Sequence, residues 1–570
     1  MHVTKEFGPA SLGGLGSVVT SLATVQAHSG RLGHRPAIIL PYYAFLQSEY
    51  SSIKPYGDPL ILGIPEFPQH PSPLSPLQAQ VYHVKHPLDK ANATFLDLYL
   101  IGSGSFAPFT SAFSAPTPGD MYYSTGGLPQ EWQDLYYTSA VAALLDRESG
   151  VLTGNGFHRS RSTTKSSSSL PLLAHFHGAT VAMTRAFLSS PIPFIYTMHD
   201  YREEPLYSLA LSSLSRFFPL ISGVTSSSPS ADWPLPSVSL SPYVHGGRIF
   251  PSSLGIDTAS AVTFVSKTLA KDMTEGKLTF VGSPLLLPPL LRQAQEGYFT
   301  GITNGLDLNQ MNPFRQNAQL TSLGLALTEP LTEGKVHRAK VKAREVLVKE
   351  GIIPDSEVTP GRIVLFIGRF QYNKGMSSLP LAAEEVRRRG GILIIMGSYN
   401  DYPAGEIRAL VRQYAPHVLL VDTPAMQSTW GSVIRLAADL AFVPSLTESF
   451  GLVAAESLLF GAGVVTTGVG GLREFLHEEK GPSGAERNGW FFPVQTLDPT
   501  QALAEAITFL EGSAHPGRMQ LAWISSALSL AWEREHGEEE KGGMGSPLSA
   551  YLAVYQVALS RLTESRRGIL

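Results

Sequence analysis

The sequence predicts an α/β protein made of two Rossmann-like, doubly wound domains. Three observations carry this. Strand-like runs PAIIL, FIYTM, TFVGS, IVLFIG, GILIIMG, HVLLV and LAFVP alternate with helical patterns, the mark of parallel sheets covered by helices. A charged helical stretch, EGKVHRAKVKAREVLVKEGIIP, stands between two such series and places the domain boundary near residues 313–335. Charged residues follow two of the later strands, and open α/β sheets place ligands at C-terminal strand ends.

Composition narrows the classes. The chain has 570 residues, 43% hydrophobic and 16% charged, with a formal net charge of -4. Length alone suggests three or four domains, but large α/β enzymes often use two. Charge content lies below the roughly 25% of average domains. Without a basic excess, nucleic acid is not an expected partner. Cysteine is absent, which excludes disulfides, thiolate catalysis and Cys-ligated zinc. No uninterrupted apolar run reaches the ~18 residues of a membrane span. Lys5 and Glu6 fall where a signal peptide needs its apolar core, so the chain is expected in the cytoplasm.

The elements follow in order. MHVTKEF leaves room for only a short first strand, or the chain is cut short at its beginning. Gly13, Gly14 and Gly16 then form a tight turn before an amphipathic helix carrying Leu15, Val18, Val19 and Leu22. Glycine lets backbone N–H groups approach a ligand, and a helix start favours anions. Residues 159–169, RSRSTTKSSSS, and the Ser/Pro-rich residues 222–247 read as surface insertions. NGLDLNQMNP ends the first half. EHGEEEKGGMGS is a solvated insertion, and LSAYLAVYQVALSRL closes the chain with helical period.

The chemistry concentrates in the second half. IVLFIG runs into GRFQYNKG and delivers Arg369 and Lys374; PSLTESFGLVAAESLLFG reads as turn and helix and carries Glu448 and Glu456, eight positions apart. Two fixed cations and two carboxylates at strand ends suit a ligand with phosphates and hydroxyls.

These residues carry a resemblance. GRFQYNKG followed by TESFGLVAAES resembles the donor-site signature of retaining GT-B glycosyltransferases. GPASLGGLGSVVTSLA, AVTFVSKTLAKDM, ITNGLDLNQMNPF and TGVGGLREFL resemble segments of glycogen and starch synthases, in the same order. The chain is similar to glycosyltransferase family 5, or to a fungal-type relative of it. The resemblance implies a GT-B fold with an interdomain cleft: an N-terminal acceptor-side domain over 1–315, a nucleotide-sugar domain over 316–545, and a terminal helix, 546–570, crossing back to the first. It implies glucose transfer from ADP- or UDP-glucose to an α-glucan end with retention, and no metal or other cofactor. Arg369 and Lys374 then stabilise the leaving diphosphate. Glu448 faces the donor sugar and Glu456 the ribose. Gly451, Leu452, Gly470 and Gly471 bring backbone close to sugar and phosphates.

On the acceptor side, LLAHFHGATVAM resembles a family segment with paired histidines, which assigns His175 and His177 to those positions. His199, in FIYTMHDY, matches a further family histidine, and Tyr201 beside it suits sugar stacking. Two departures stand out. The family lysine before the glycine pair is Ser11, which leaves Ser11, Gly13 and Gly14 without a cation. The acidic-Trp-His/Gln run is replaced by Gly178, Ala179 and Thr180. These departures and the short first strand favour one alternative, a non-catalytic glucan-binding or scaffold protein; a retaining transferase with another acceptor or linkage is the alternative among enzymes.

Overall fold

A computed structural model describes the chain outside residues 64–75, 90–93, 124–125, 151–171, 218–237, 279–282, 315–320, 325–329, 356–360, 480–486, 534–544 and 568–570. It divides into two compact units. The first comprises Met1–Val265, Ala270–Ile302 and Pro547–Leu570; the second comprises Ser266–Leu269 and Thr303–Ser546. The expected insertion 159–169 and the TFVG of TFVGS lie outside the described residues.

In the first unit, among the described residues, seven parallel strands form the main part of a ten-stranded sheet: β1 (His2–Val3), β2 (Ala37–Pro41), β3 (Phe95–Gly104), β4 (Ala174–His177), β5 (Phe194–Met198), β6 (Ala261–Phe264) and β7 (Phe299–Gly301). Their order is β7-β6-β5-β4-β1-β2-β3. An antiparallel edge continues through Leu77–Pro87, with Lys54–Pro55 and Leu60–Gly63 paired to it. The expected short first strand is two residues long and central. Its ladder is extended at both ends, because the His175 N–H donates to Met1 O at 2.8 Å and the Thr4 N–H to Ile39 O at 3.1 Å. Helix α1 (Gly14–Ser29) buries Val18, Val19 and Leu22. Helix α2 (Gln130–Glu148) also packs in this unit.

Residues 238–247, expected as part of an unstructured insertion, form a 3-10 turn and an antiparallel pair, Val244–His245 with Arg248–Ile249. Gly246 and Gly247 take positive φ at its turn, the conformation a tight hairpin requires.

Among the described residues the second unit has six parallel strands: β8 (Ile363–Ile367), β9 (Ile392–Met396), β10 (Val418–Val421), β11 (Leu440–Val443), β12 (Gly463–Thr466) and β13 (Gly489–Phe491), ordered β10-β9-β8-β11-β12-β13. Ile363, Val364, Ile394, Leu440 and Val464 are fully buried, as expected for strands covered on both faces. The charged stretch forms helix α3 (Glu333–Lys349), capped by the Thr332 side chain. Helix α4 (Leu452–Leu459) follows β11. The NGLDLNQMNP segment packs in this unit rather than ending the first, since the Leu306 N–H donates to Leu530 O at 2.7 Å. The final helix, α5 (Pro547–Arg567), returns to the first unit as expected, where Tyr555 bonds His175 and Gln26.

Candidate active site

Both sheets reverse their strand order once, and each reversal opens a crevice at the C-terminal strand ends. In the second unit it lies between β8 and β11, and the four charged residues read from the sequence follow these two strands. Arg369 comes two residues after β8. It is half-buried, and among the described residues its guanidinium has no hydrogen-bond or ion-pair partner. Lys374 closes a short 3-10 turn, Tyr372–Lys374. Its ammonium donates to Glu448 Oε2 at 2.7 Å, and the Ser445 hydroxyl donates to the same oxygen at 3.1 Å. The pair is 24% and 19% exposed, shielded enough to be screened less than a surface pair. A backbone bond from the Leu446 N–H to Asn373 O, 2.8 Å, ties the two loops directly.

Gly470 and Gly471 hold the Glu448 turn from the far side. The Gly471 N–H donates to the Glu448 carbonyl at 3.3 Å. Gly470 has φ +59°, and a Cβ there would overlap the same carbonyl oxygen. Their visible work is therefore to fix Glu448, in addition to any approach to phosphate. Gly451 caps α4, and Leu452 is its first residue; the first-turn N–H groups lack intrahelical acceptors by geometry. Glu456 stands in the second turn, with Arg435 Nη1 3.6 Å from its Oε2.

In the first unit, the glycine turn is already filled by the chain itself. Glu6 Oε2 accepts from the N–H groups of Leu12 (2.8 Å), Gly13 (3.2 Å) and Gly16 (3.3 Å), and Oε1 accepts from the Tyr122 hydroxyl at 2.5 Å. The helix start attracts an anion as expected, but that anion is an internal carboxylate. A Cβ on Gly16 would stand 2.8 Å from Glu6 Oε2 and 2.7 Å from Ser11 Cβ, so Ser11 packs against the cradle. Gly14 opens α1 and is exposed. Beside Glu6, Lys5 pairs with Asp134 on α2 at 2.7 Å, and the Tyr207 hydroxyl donates to the other Asp134 oxygen at 2.5 Å.

The histidines gather at the first unit's reversal, between β1 and β4. Residues i and i+2 of a strand share a face, so His175 and His177 point the same way, and β1 brings His2 opposite His175. His2 Nδ1 lies 3.0 Å from His177 Nε2, and His177 Nδ1 lies 3.1 Å from His199 Nε2. His175 bonds Tyr555 at 3.0 Å and Thr197 at 2.6 Å. Desolvation pushes His2 and His199 down to about 3 and His175 and His177 well below the ordinary imidazole range. His177 is 1% exposed with both ring nitrogens engaged. It is thus a buried link, and the more accessible end of the chain is His199, which is half-buried at the end of β5. Tyr201 and Thr180 are also half-buried in this region.

His2, His175 and His177 offer ligand atoms within 4.8 Å of one another, a spacing compatible with a metal ion. Each of their ring nitrogens, however, already has a protein partner. Glu204 closes the turn after β5: it accepts from the N–H groups of His199 (2.8 Å) and Asp200 (3.1 Å) and from the Tyr196 hydroxyl (2.5 Å). Burial raises its carboxyl to about 7.

Sequence reading missed Glu6, His2, Gln26, Ser445 and Glu474. Glu474 lies three residues past the Gly470–Gly471 pair; it accepts from the Thr268 N–H at 2.8 Å and from the hydroxyls of Ser266 and Thr303. An acid just before a glycine loop was a usable signal for Glu6. Ser445 lies three residues before Glu448 in the same turn, a local signal; for His2, Gln26 and Glu474 the partners are too distant in sequence to suggest them.

The family described as glycosyl transferases group 1 matches residues 361–511. A glycogen synthase of Paracidovorax citrulli is 28% identical over 319 residues, covering 55% of this chain and 56% of that protein. Starch synthase 1 of Triticum aestivum is 26% identical over 213 residues, covering 36% and 30%. The catalytic domain of starch synthase IV from Arabidopsis thaliana, bound to ADP and acarbose, superimposes with a TM-score of 0.71 at 18% identity, over 98% of this chain and 99% of that one. The chain spans about half the length of the curated bacterial relatives it matches. It is glycogen/starch synthase-like in sequence and has the GT-B fold, with two Rossmann-like α/β domains and C-terminal helices. Among the described residues no helix is long and apolar enough to cross a membrane.

Proposed function

We propose that the protein is a cytoplasmic retaining glycosyltransferase that moves glucose from ADP- or UDP-glucose to the non-reducing end of an α-glucan. The observation that carries this reading is the Lys374–Glu448 pair across the β8/β11 crevice, with Arg369 on the same loop after β8 as Lys374. Expelling a nucleoside diphosphate builds negative charge on the leaving group. A guanidinium fork and an ammonium, preorganised at strand ends, stabilise that charge without requiring a metal. In this reading the incoming diphosphate takes the Lys374 ammonium from Glu448. The released carboxylate then faces the sugar hydroxyls and the positive charge developing at the anomeric carbon. Glu456, one helical turn on, accepts from the ribose. The Arabidopsis relative, whose structure holds ADP and acarbose, is consistent with a nucleotide and a glucan-like oligosaccharide as partners.

A second reading, a glucan-binding protein without turnover, is favoured by one specific observation: Glu6 fills the glycine cradle, and Ser11 stands where the family carries a cation. The test is release of nucleoside diphosphate from ADP-glucose and UDP-glucose with glycogen present, followed by linkage analysis of the product. Release with new α-linked glucose supports the transferase. Glycogen binding with no release from either donor leaves the second reading.

A further inference from the structure

We infer that Gln26 is a positioning residue: through His2 and His177 it fixes the proton of His199 on Nε2, so that His199 presents an unprotonated Nδ1 at the end of β5. All the residues involved belong to the first unit, and the argument is one of hydrogen-bond direction.

An amide oxygen only accepts. Gln26 Oε1 lies 2.7 Å from His2 Nε2, so that nitrogen carries the proton. A neutral imidazole has one donor and one acceptor nitrogen, and burial keeps these rings neutral. His2 Nδ1 is therefore the acceptor in its 3.0 Å contact with His177 Nε2, which makes His177 an Nε2–H donor. His177 Nδ1 in turn accepts from His199 Nε2 at 3.1 Å. The same amide sets a second branch. Gln26 Nε2 donates to the Tyr555 oxygen at 2.8 Å, which leaves the Tyr555 hydroxyl to donate to His175 Nδ1 at 3.0 Å. His175 Nε2–H then donates to Thr197 Oγ1 at 2.6 Å. One side chain, 1% exposed on α1, thus gives four histidines the same Nε2–H tautomer. Turning the Gln26 amide over would reverse every bond and put all four protons on Nδ1, so the two polarities are distinct and separately observable.

The placement of His199 at the glucan side rests on the function proposed above; its tautomer does not. An Nδ1 without a proton is suited to accept from a sugar hydroxyl and unable to donate to one.

The test is two-bond 15N–1H correlation spectroscopy of the full chain labelled with 15N-histidine, with His199 assigned from the signal lost in His199→Asn. In the wild type, His199, His177, His175 and His2 are expected as Nε2–H tautomers. Gln26→Met removes both ends of the relay, and His199 should then show a mixture or a switch of tautomer; Gln26→Glu, which keeps an oxygen facing His2, should restore Nε2–H. His199 as Nδ1–H or as imidazolium in the wild type, or an unchanged His199 tautomer in Gln26→Met, overturns the proposal. The wild-type spectrum decides even if a variant fails to fold. Failure of the wild type to turn over any nucleotide sugar, with the expected spectrum intact, would count against the function and not against the relay.

Discussion

The crevice of the second unit and that of the first solve opposite electrostatic problems at the same topological position. Beside β8 and β11, charges are kept: Lys374 and Glu448 hold one another, each about one-fifth exposed, and Arg369 stands half-buried, without a partner among the described residues. Beside β1 and β4, charge is suppressed: four imidazoles are held neutral by desolvation; His2, His177 and His199 hydrogen-bond in series, while His175 bonds Tyr555 and Thr197. The difference shows what each can do. Fixed charges at the rim are available to a diphosphate. A neutral buried chain cannot stabilise charge, but it can set the direction of hydrogen bonds at its half-buried end, His199.

The contrast breaks most visibly through the rim cations. Arg369→Ala and Lys374→Ala should each lower turnover by on the order of 10²-fold or more, about 3 kcal/mol of transition-state stabilisation, while thermal unfolding stays close to wild type. Near-wild-type rates in both variants would remove these residues from the chemistry.

Acid acts on the other region. A histidine whose folded-state pKa is depressed binds no proton in the fold where the unfolded chain does, so its stability contribution is full above about 6.5 and declines below it. From pH 7.5 to 5.0, each neutral buried imidazole should lose up to about 2 kcal/mol at ~1.4 kcal/mol per unit. Glu204, raised to about 7, works the other way between its ordinary value and 7, but it is one carboxyl against four imidazoles. The urea midpoint should therefore fall on acidification. A midpoint that rises or stays level would show that the histidines are not held neutral.

Much of this contrast was legible in the sequence, unevenly. Arg369, Lys374, Glu448 and Glu456 sit in two short segments, and each segment forms one strand end with its following turn, so local spacing carried the geometry. FIYTM, IVLFIG and LAFVP became strands because they are short, apolar and bounded by turn residues. FLDLYLIGSG carries a different signal, a period-2 alternation in burial over the first six residues of β3. The histidine chain was out of reach for a physical reason. His2 and His177 are 175 positions apart, and β1 meets β4 only because the strand order reverses there. Glu6 differs: it stands only six to ten positions before the N–H groups that it accepts from, but the turn's composition announces an anion site without saying whose anion fills it.

That last point sharpens the comparison at lower amplitude. Ser11→Lys adds a cation next to Glu6, which already faces the cradle. The new ammonium should pair internally, and affinity for a nucleotide sugar should change by less than about 1 kcal/mol, the scale of a single hydrogen bond. Tightening beyond tenfold in calorimetric titration would show instead that the cradle receives the diphosphate.

Metal removal should have the smallest effect. With Arg369 and Lys374 carrying the leaving-group charge, the rate of diphosphate release should survive EDTA. Complete loss that magnesium restores would assign that charge to an ion.

The most direct test of the central claim, that the β8/β11 crevice performs sugar transfer, compares wild type with Glu448→Ala in one assay of glucose incorporation into glycogen from ADP-glucose and UDP-glucose. The account predicts clear incorporation by the wild type from at least one donor, abolished in Glu448→Ala with the fold intact. Equal rates in the two proteins, or glycogen binding without incorporation by the wild type, would contradict it.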